Sequence, residues 1–425
     1  MEVVTSGLSE RRARSTILLL AASVGIVMTG YGIIMPVFAR RLGEFGSGVE
    51  ALGLMTMSFA LAQFLAAPFM GTLADRFGRR PLVLTALAAY VVANIGFLLA
   101  PTVAVFTAIR ALEGALTAGL FPAAMGVVGD VVPDRQRAQW VGIVMGSYGA
   151  GFIFGPVIGG VLYDGWGFAA PFVASAVLAA VALAAASVLV PETHPPTARR
   201  RDALRRQRAA DPGLAESGSV WSSLPRPLTF FGTLLALDFG GVFAFAYVEP
   251  QMVFYFYEEL GWSTVRFGVV AGVYGLAMVI GQAGLGKASD RFGRKPIILV
   301  GLLLTTTFYF GVGFITSFPL MLLVALAAGL GGALIAPALS ALYLDITAAQ
   351  HRSRVVGIKE SSASLGGVAG PLLVALLSGL ITPQGIFISA GVLVLALAVL
   401  AAVGLRAPRG AVAAPQDMGG YGTRD

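Results

Sequence analysis

Charge is scarce in this chain of 425 residues: Asp, Glu, Lys and Arg together make up 12% of it, about half the share of a soluble domain. A soluble fold of this size cannot cover its apolar content with so few polar side chains, so disorder, coiled coil and a conventional soluble enzyme are excluded. Cysteine is absent, which removes disulfides, thiol nucleophiles and thiolate metal sites. Only two histidines occur, His194 and His351, both in polar connections, so metal binding and acid–base chemistry have no obvious imidazole. No nucleophile–base arrangement, metal cluster or phosphate-binding loop is visible, and neither an enzyme nor a bound cofactor or metal is expected.

What the chain has in excess is long apolar runs. Twelve can be placed, near 16–38, 50–73, 82–100, 103–127, 139–163, 168–190, 228–256, 263–286, 297–316, 319–343, 355–380 and 384–405. About 20 such residues cross 30 Å of hydrocarbon. The runs are continuous rather than alternating, which predicts membrane-spanning helices and not a β-barrel. The first is too long for a signal-peptide core and is read as a span.

Basic residues set the expected orientation. Even-numbered connections hold Arg76, Arg79 and Arg80, then Arg135 and Arg137, then a cluster from Arg199 to Arg208, then Lys287, Arg291, Arg294 and Lys295, and finally Arg352 and Arg354. Odd-numbered connections hold only Arg40, Arg41 and Arg266. Both termini are therefore predicted to be cytoplasmic, in a multi-pass protein of the cell membrane. The net charge of +7 reads as topology, so the lipid bilayer and not nucleic acid is the expected surroundings.

Between Pro191 and Pro227 the chain turns polar, proline-bearing and charged, as a solvated linker would. It divides the sequence into a six-span unit at 1–190, the linker at 191–227, a second six-span unit at 228–405 and a cytoplasmic tail at 406–425. The units repeat. Gly71-x-x-x-Asp75-Arg76-x-Gly78-Arg79-Arg80-Pro81 recurs 215 residues later as Gly286-x-x-x-Asp290-Arg291-x-Gly293-Arg294-Lys295-Pro296. The same offset pairs Gly114 with Gly329, Pro122 with Pro337, Asp130 with Asp345 and Gly155-Pro156 with Gly370-Pro371. Two repeated halves with a binding site between them near the bilayer midplane is an architecture of secondary transporters.

With these motifs the sequence resembles the major facilitator superfamily, over all twelve spans. The resemblance implies an all-α fold of two pseudo-symmetric six-helix halves. The duplicated loop is that family's signature after spans 2 and 8. In residue terms, Gly71 permits close helix approach, Asp75 can accept hydrogen bonds, Gly78 permits a tight turn, and Arg76 and Arg79 can pair with acids such as Asp130 when the inner side shuts. This predicts an inner gate with a second copy at Gly286, Asp290, Arg291, Gly293 and Arg294.

Span 5 carries Gly142, Gly151, Gly155-Pro156 and Gly159-Gly160. The string is similar to the pattern of family members that work as antiporters, and so implies export in exchange for a proton. In physical terms, glycines every four residues make a smooth ridge, and Pro156 bends the helix. Arg110-x-x-Glu113-Gly114 in span 4 resembles a family motif whose arginine is associated with proton coupling. At 1.5 Å per residue Arg110 lies roughly 12 Å and Glu113 roughly 16 Å deep, and residues three apart share a helix face, so the two can pair until a proton displaces the guanidinium.

Asp238, roughly 15 Å deep in span 7, has no cation in its own span and is expected to carry a proton or attract a cationic substrate. Phe239 and Phe243 beside it suit a flat lipophilic compound. Tyr31, Gln63 and Gln282 are further candidates for the substrate cavity. Glu249 reads as a rim residue near the outer interface. Lys359 and Glu360 are adjacent and are not expected to share a face. Tetracycline exporters are similar in the run Gly32 to Pro36, but many carry an acid earlier in that helix, which this chain lacks. The combined expectation is a single-chain carrier, driven by the proton gradient, that exports small lipophilic or cationic compounds of the multidrug type. The alternative is a dedicated exporter or proton-coupled carrier of one metabolite such as a sugar.

Overall fold

A computed structural model describes residues 10–132, 134–193, 224–285, 291–347 and 352–405. Most of the expected linker, the tail at 406–425, both histidines and the pair Gly286 and Asp290 lie outside the described residues. Twelve described segments are helices long and apolar enough to cross a membrane. Their exposed faces are apolar, as Val188 at 81% and Val92 at 67% exposure show. Lipid, and not water, is the solvent for which such a surface is built.

The first half runs α1 (Glu10–Glu44), α2 (Val49–Phe77), α3 (Arg79–Leu99), α4 (Val103–Thr117), α5 (Leu120–Val131), α6 (Asp134–Trp166) and α7 (Ala169–Leu189). The second runs α8 (Leu228–Phe254), continued by a π turn at Tyr255–Glu259, then α9 (Thr264–Leu285), α10 (Arg294–Phe314), α11 (Phe318–Asp345), α12 (Arg352–Leu377) and α13 (Pro383–Gly404). Span 4 is therefore two helices where the sequence predicts one. Pro122 has no N–H to return to Ala118, and Gly119 sits where a Cβ would come within 3.1 Å of Leu82 Cδ2. The second half keeps Pro337 but has Leu334 in place of that glycine, and α11 stays continuous.

Inside each half the repeat is a packing repeat. Helix α6 lies along α1 just as α12 lies along α8, and across the halves α6 meets α9 while α2 meets α12. Gly268 and Gly53, 215 residues apart, make the cross-half contacts: a Cβ on Gly268 would lie 2.5 Å from the Pro156 carbonyl oxygen, and one on Gly53 2.7 Å from that of Pro371. Phe38, Phe97, Phe106 and Phe172 form an aromatic cluster that ties α1, α3, α4 and α7 together, with Phe38 edge-on to Phe97 and Phe106 at 5.1 Å.

The two ends of the bundle differ. At the end away from the basic loops the halves are joined: the Arg40 guanidinium donates to the Trp262 carbonyl at 3.2 Å and covers the Tyr257 ring at 4.0 Å. The Asp164 carboxylate there accepts from the Val265 N–H at 3.2 Å. Toward the basic end the halves part around a cavity.

Candidate functional site

Span 4 supplies the deepest charges. On α4 the Arg110 guanidinium donates to Glu113 Oε2 at 2.6 Å, one turn apart, and both residues are 2% exposed. The guanidinium is packed over the rings of Phe59 at 4.0 Å, Tyr31 at 4.9 Å and Phe38 at 5.2 Å. Gly114 makes this arrangement possible, because its missing side chain lets the backbone of α2 at Phe59 come against α4. Tyr90 and Asn94 on α3 complete the surroundings. Asn94 is fully buried and spends its amide on the Tyr90 carbonyl at 2.8 Å.

Of the pair only Glu113 reaches the cavity between the halves, which has a volume of about 710 Å³. That is the range of small-molecule sites. Tyr31, Gln63, Tyr90 and Tyr148 line it from the first half, and Val242, Glu360 and Ser364 from the second. Two of the expected cavity residues, Tyr31 and Gln63, thus stand on its wall. Asp238, Phe239, Phe243 and Gln282 do not line it. Phe239 and Phe243 stack at 5.7 Å and continue to Tyr247 at 5.8 Å, and their helix is held to α12 at Gly366, where a Cβ would lie 2.5 Å from the Phe239 carbonyl oxygen. In that stretch of α8 the backbone at Phe239 and Phe243 is packed on α12, and Val242 between them is what reaches the cavity. Gln282 is half-buried near the end of α9. A slightly larger hollow of about 780 Å³ lies beside Thr16, Arg80 and Val188 on the flank of the first half; it touches none of the deep charges and is not the candidate site.

Asp238 has its own cluster. Its Oδ2 and the hydroxyl of Tyr343 are both buried, and the two groups face each other. The cation acting on it is Lys359 of α12, in the same half. Lys359 donates to Glu360 Oε1 at 3.2 Å. Adjacent side chains therefore do meet here, because both chains are long enough to reach each other, and Glu360 also lines the cavity.

The loop motifs hold their expected turns: Gly78 and Gly293 have φ of 104° and 87°, a region where a Cβ is unfavourable. Arg79 Nε lies 3.6 Å from Asp130 Oδ2, and Arg294 Nε 2.6 Å from Asp345 Oδ2. Glu192 accepts from the backbone N–H groups of Arg79 and Arg80 at 3.0 and 3.3 Å, capping α3 with negative charge. Arg76 and Arg291 are exposed beside Phe77 and Phe292. The surroundings of Gly71 and Asp75 lie outside the described residues. One expectation changes: both arginine–aspartate pairs exist while the cavity is open toward this end, and each joins helices of a single half.

The glycine string of α6 divides by face. Gly151, Gly155 and Gly159 lie on α1, with a Cβ on Gly155 only 2.6 Å from the Thr29 carbonyl oxygen. Gly160 and the Pro156 carbonyl face the other half, a Cβ on Gly160 reaching 2.6 Å from the Thr264 carbonyl oxygen, while the Pro156 ring lies against Gly32 of α1. Gly142 meets nothing within 4 Å.

Sequence reasoning misplaced Glu249. It is no rim residue: it lines a cavity of about 60 Å³ bounded by Gly32 and Pro156 of the first half and by Phe245, Phe267 and Tyr274 of the second. Sequence reasoning also missed the cross-half contacts of Arg40 and Asp164. The rarity of Arg40 in an odd connection was the one available signal for them.

The sequence model of the Major Facilitator Superfamily matches residues 20–265 and 239–420. The chain is 30% identical over 375 residues to the class C tetracycline resistance protein of Escherichia coli, covering 85% of this chain and 89% of that protein. It is 27% identical over 406 residues to the multidrug resistance protein MdtG of Klebsiella pneumoniae, covering 92% and 94%. Among solved structures, a bacterial homolog of the human lysosomal transporter Spinster, inward-facing and unoccupied, superposes with a TM-score of 0.73 at 16% identity over 93% of this chain and 98% of that one.

Proposed function

Because the chain belongs to the Major Facilitator Superfamily, we propose that it exports small lipophilic or cationic compounds in exchange for protons, by alternating access between its two halves. The observation that carries this reading is the buried Arg110–Glu113 pair, whose carboxylate lines a cavity of about 710 Å³ that is, Glu360 apart, aromatic, apolar and sparsely polar. The names of its relatives, tetracycline and multidrug resistance proteins, support efflux as the direction. With the basic loops on the cytoplasmic side, as the distribution of Lys and Arg supports, both termini are cytoplasmic and the cavity faces the cytoplasm. The cavity lies within one chain, so a monomer suffices.

A lipophilic compound enters from the cytoplasm and displaces water from Tyr31, Tyr90 and Tyr148. Glu113 is the proton-bearing group. When it is ionised, Arg110 neutralises it at 2.6 Å; when it is protonated, Arg110 is left to the rings of Phe59 and Tyr31. Each change of proton therefore changes which groups hold the cavity wall, and this is how binding and protonation exclude one another. Glu360 on the cavity wall attracts the positive charge of a substrate at entry, and Asp238 adds negative charge from outside that wall.

The test is proton release on addition of substrate to the purified chain in proteoliposomes, with a panel of dyes and antibiotics. Glu113→Gln is expected to abolish both proton release and gradient-driven uptake into inverted vesicles. Proton release unchanged in Glu113→Gln overturns the assignment, and a panel in which one neutral metabolite alone is moved selects the dedicated carrier instead.

A further inference from the structure

Glu249 is spent on nothing in the site above. Among the described residues it makes no hydrogen bond and no ion pair, and its surface is turned to the small cavity at the junction of the halves. Tyr274 of α9 shares this cavity with it, and the charged or titratable groups acting on it from the other helices are Arg110 of α4 and Tyr31 of α1. Helices α6 and α10 present only Pro156 and Phe308 to the cavity. Arg110 is already held by Glu113 at 2.6 Å, so an ionised Glu249 would face an arginine whose charge is mostly answered.

The repeat shows that the fold does not require an acid here. The residue 215 positions earlier is Ile34, fully packed at 1% exposure. An unpaired carboxylate among aromatic walls carries a large desolvation cost, which a proton removes. A cavity of about 60 Å³ holds about two waters and excludes an organic cation.

We propose that Glu249 is a second proton-binding site, and that it must take up a proton before the halves can shut around it at the end away from the basic loops. Opening of that end parts α6 from α9, admits water to Glu249 and lets it ionise; closure requires it neutral. The site deepens the proton-coupled reading above and places a second carboxylate, from the opposite half, within the electrostatic reach of the same arginine. A proton on Glu113 frees Arg110 to favour ionised Glu249, and a proton on Glu249 leaves Arg110 to Glu113.

The chain has no cysteine, so a spin-label pair at Trp166→Cys and Glu258→Cys, both exposed at the closed end, reads that end alone. In the full-length protein the open population is expected to rise with pH by up to about tenfold per pH unit, the slope of one proton. In Glu249→Gln, and in Glu249→Ile that copies Ile34, the end is expected to stay shut across the range, while Glu113→Gln keeps the response. A pH response in Glu249→Gln equal to that of wild type, or none in wild type between about pH 5 and 9, overturns the proposal. Loss of proton release in Glu113→Gln together with an unchanged closed-end response in Glu249→Gln defeats this site and leaves the first reading standing.

Discussion

The two halves share their packing and differ in their charge. Gly114 on Phe59 and Gly329 on Tyr274 are the same close approach made twice, and Gly53 on Pro371 mirrors Gly268 on Pro156. At the positions of Arg110 and Glu113 the second half has Ala325 and Ala328, at 0% and 1% exposure. At the positions of its own acids Asp238 and Glu249 the first half has Ser23 and Ile34, both buried. Duplicated contacts are what the rocking of the halves needs, and every unduplicated charge is a candidate for the chemistry.

The largest effect expected from breaking this comparison comes from Arg110→Ala. It leaves Glu113 buried without its cation, which costs about 3–5 kcal/mol, and thermal unfolding in detergent should show a large loss. The double variant Arg110→Ala/Glu113→Ala copies the second half's Ala325 and Ala328. It should recover most of that stability, since a buried ion pair is worth little against apolar packing, yet transport should stay abolished. Recovery of transport in the double variant would mean that the pair only positions helices.

Twelve spans, the repeat, the turn glycines and the Arg110–Glu113 pair were legible in the sequence because each rests on local rules: run length, a fixed offset, a positive φ, and spacing of three on a helix. The break at Gly119 was not, since Pro337 tolerates a continuous α11 and the close approach of Leu82 and Met70 to Gly119 is a tertiary feature. Phe239 and Phe243 were assigned to the cavity by proximity to Asp238, but which face of α8 is free depends on where Gly366 brings α12. Glu249 was placed by depth alone. Its meaning comes from Gly32 and Pro156 in the other half, a tertiary contact that no window of sequence contains.

A second break targets the cross-half contact itself. Gly268→Leu puts a side chain where a Cβ already lies 2.5 Å from the Pro156 carbonyl oxygen, and overpacking of this kind costs about 1–3 kcal/mol. The cost falls on the shut state only, because the contact exists only when α6 and α9 touch. Labels at the closed end should therefore report opening at a pH lower by about one to two units, with overall unfolding little changed. Gly142→Leu is the control on the same α6 and should leave the distance unaltered, since its Cβ position meets nothing within 4 Å.

The smallest effect separates the two loop copies. Arg79 and Asp130 have side chains 16% and 23% exposed, and the Asp130 carboxylate also accepts from the Thr193 hydroxyl at 3.2 Å. Arg294 and Asp345 are closer, at 2.6 Å, but 25% and 50% exposed. Solvent screening weakens the second pair more than its shorter distance strengthens it, and exposed pairs are worth about 0–1 kcal/mol. Arg79→Ala should therefore lower the unfolding temperature more than Arg294→Ala, and added salt should shrink the Arg294 effect first. The reverse order would show that distance outweighs burial at this end, and that the second copy is the stronger clasp.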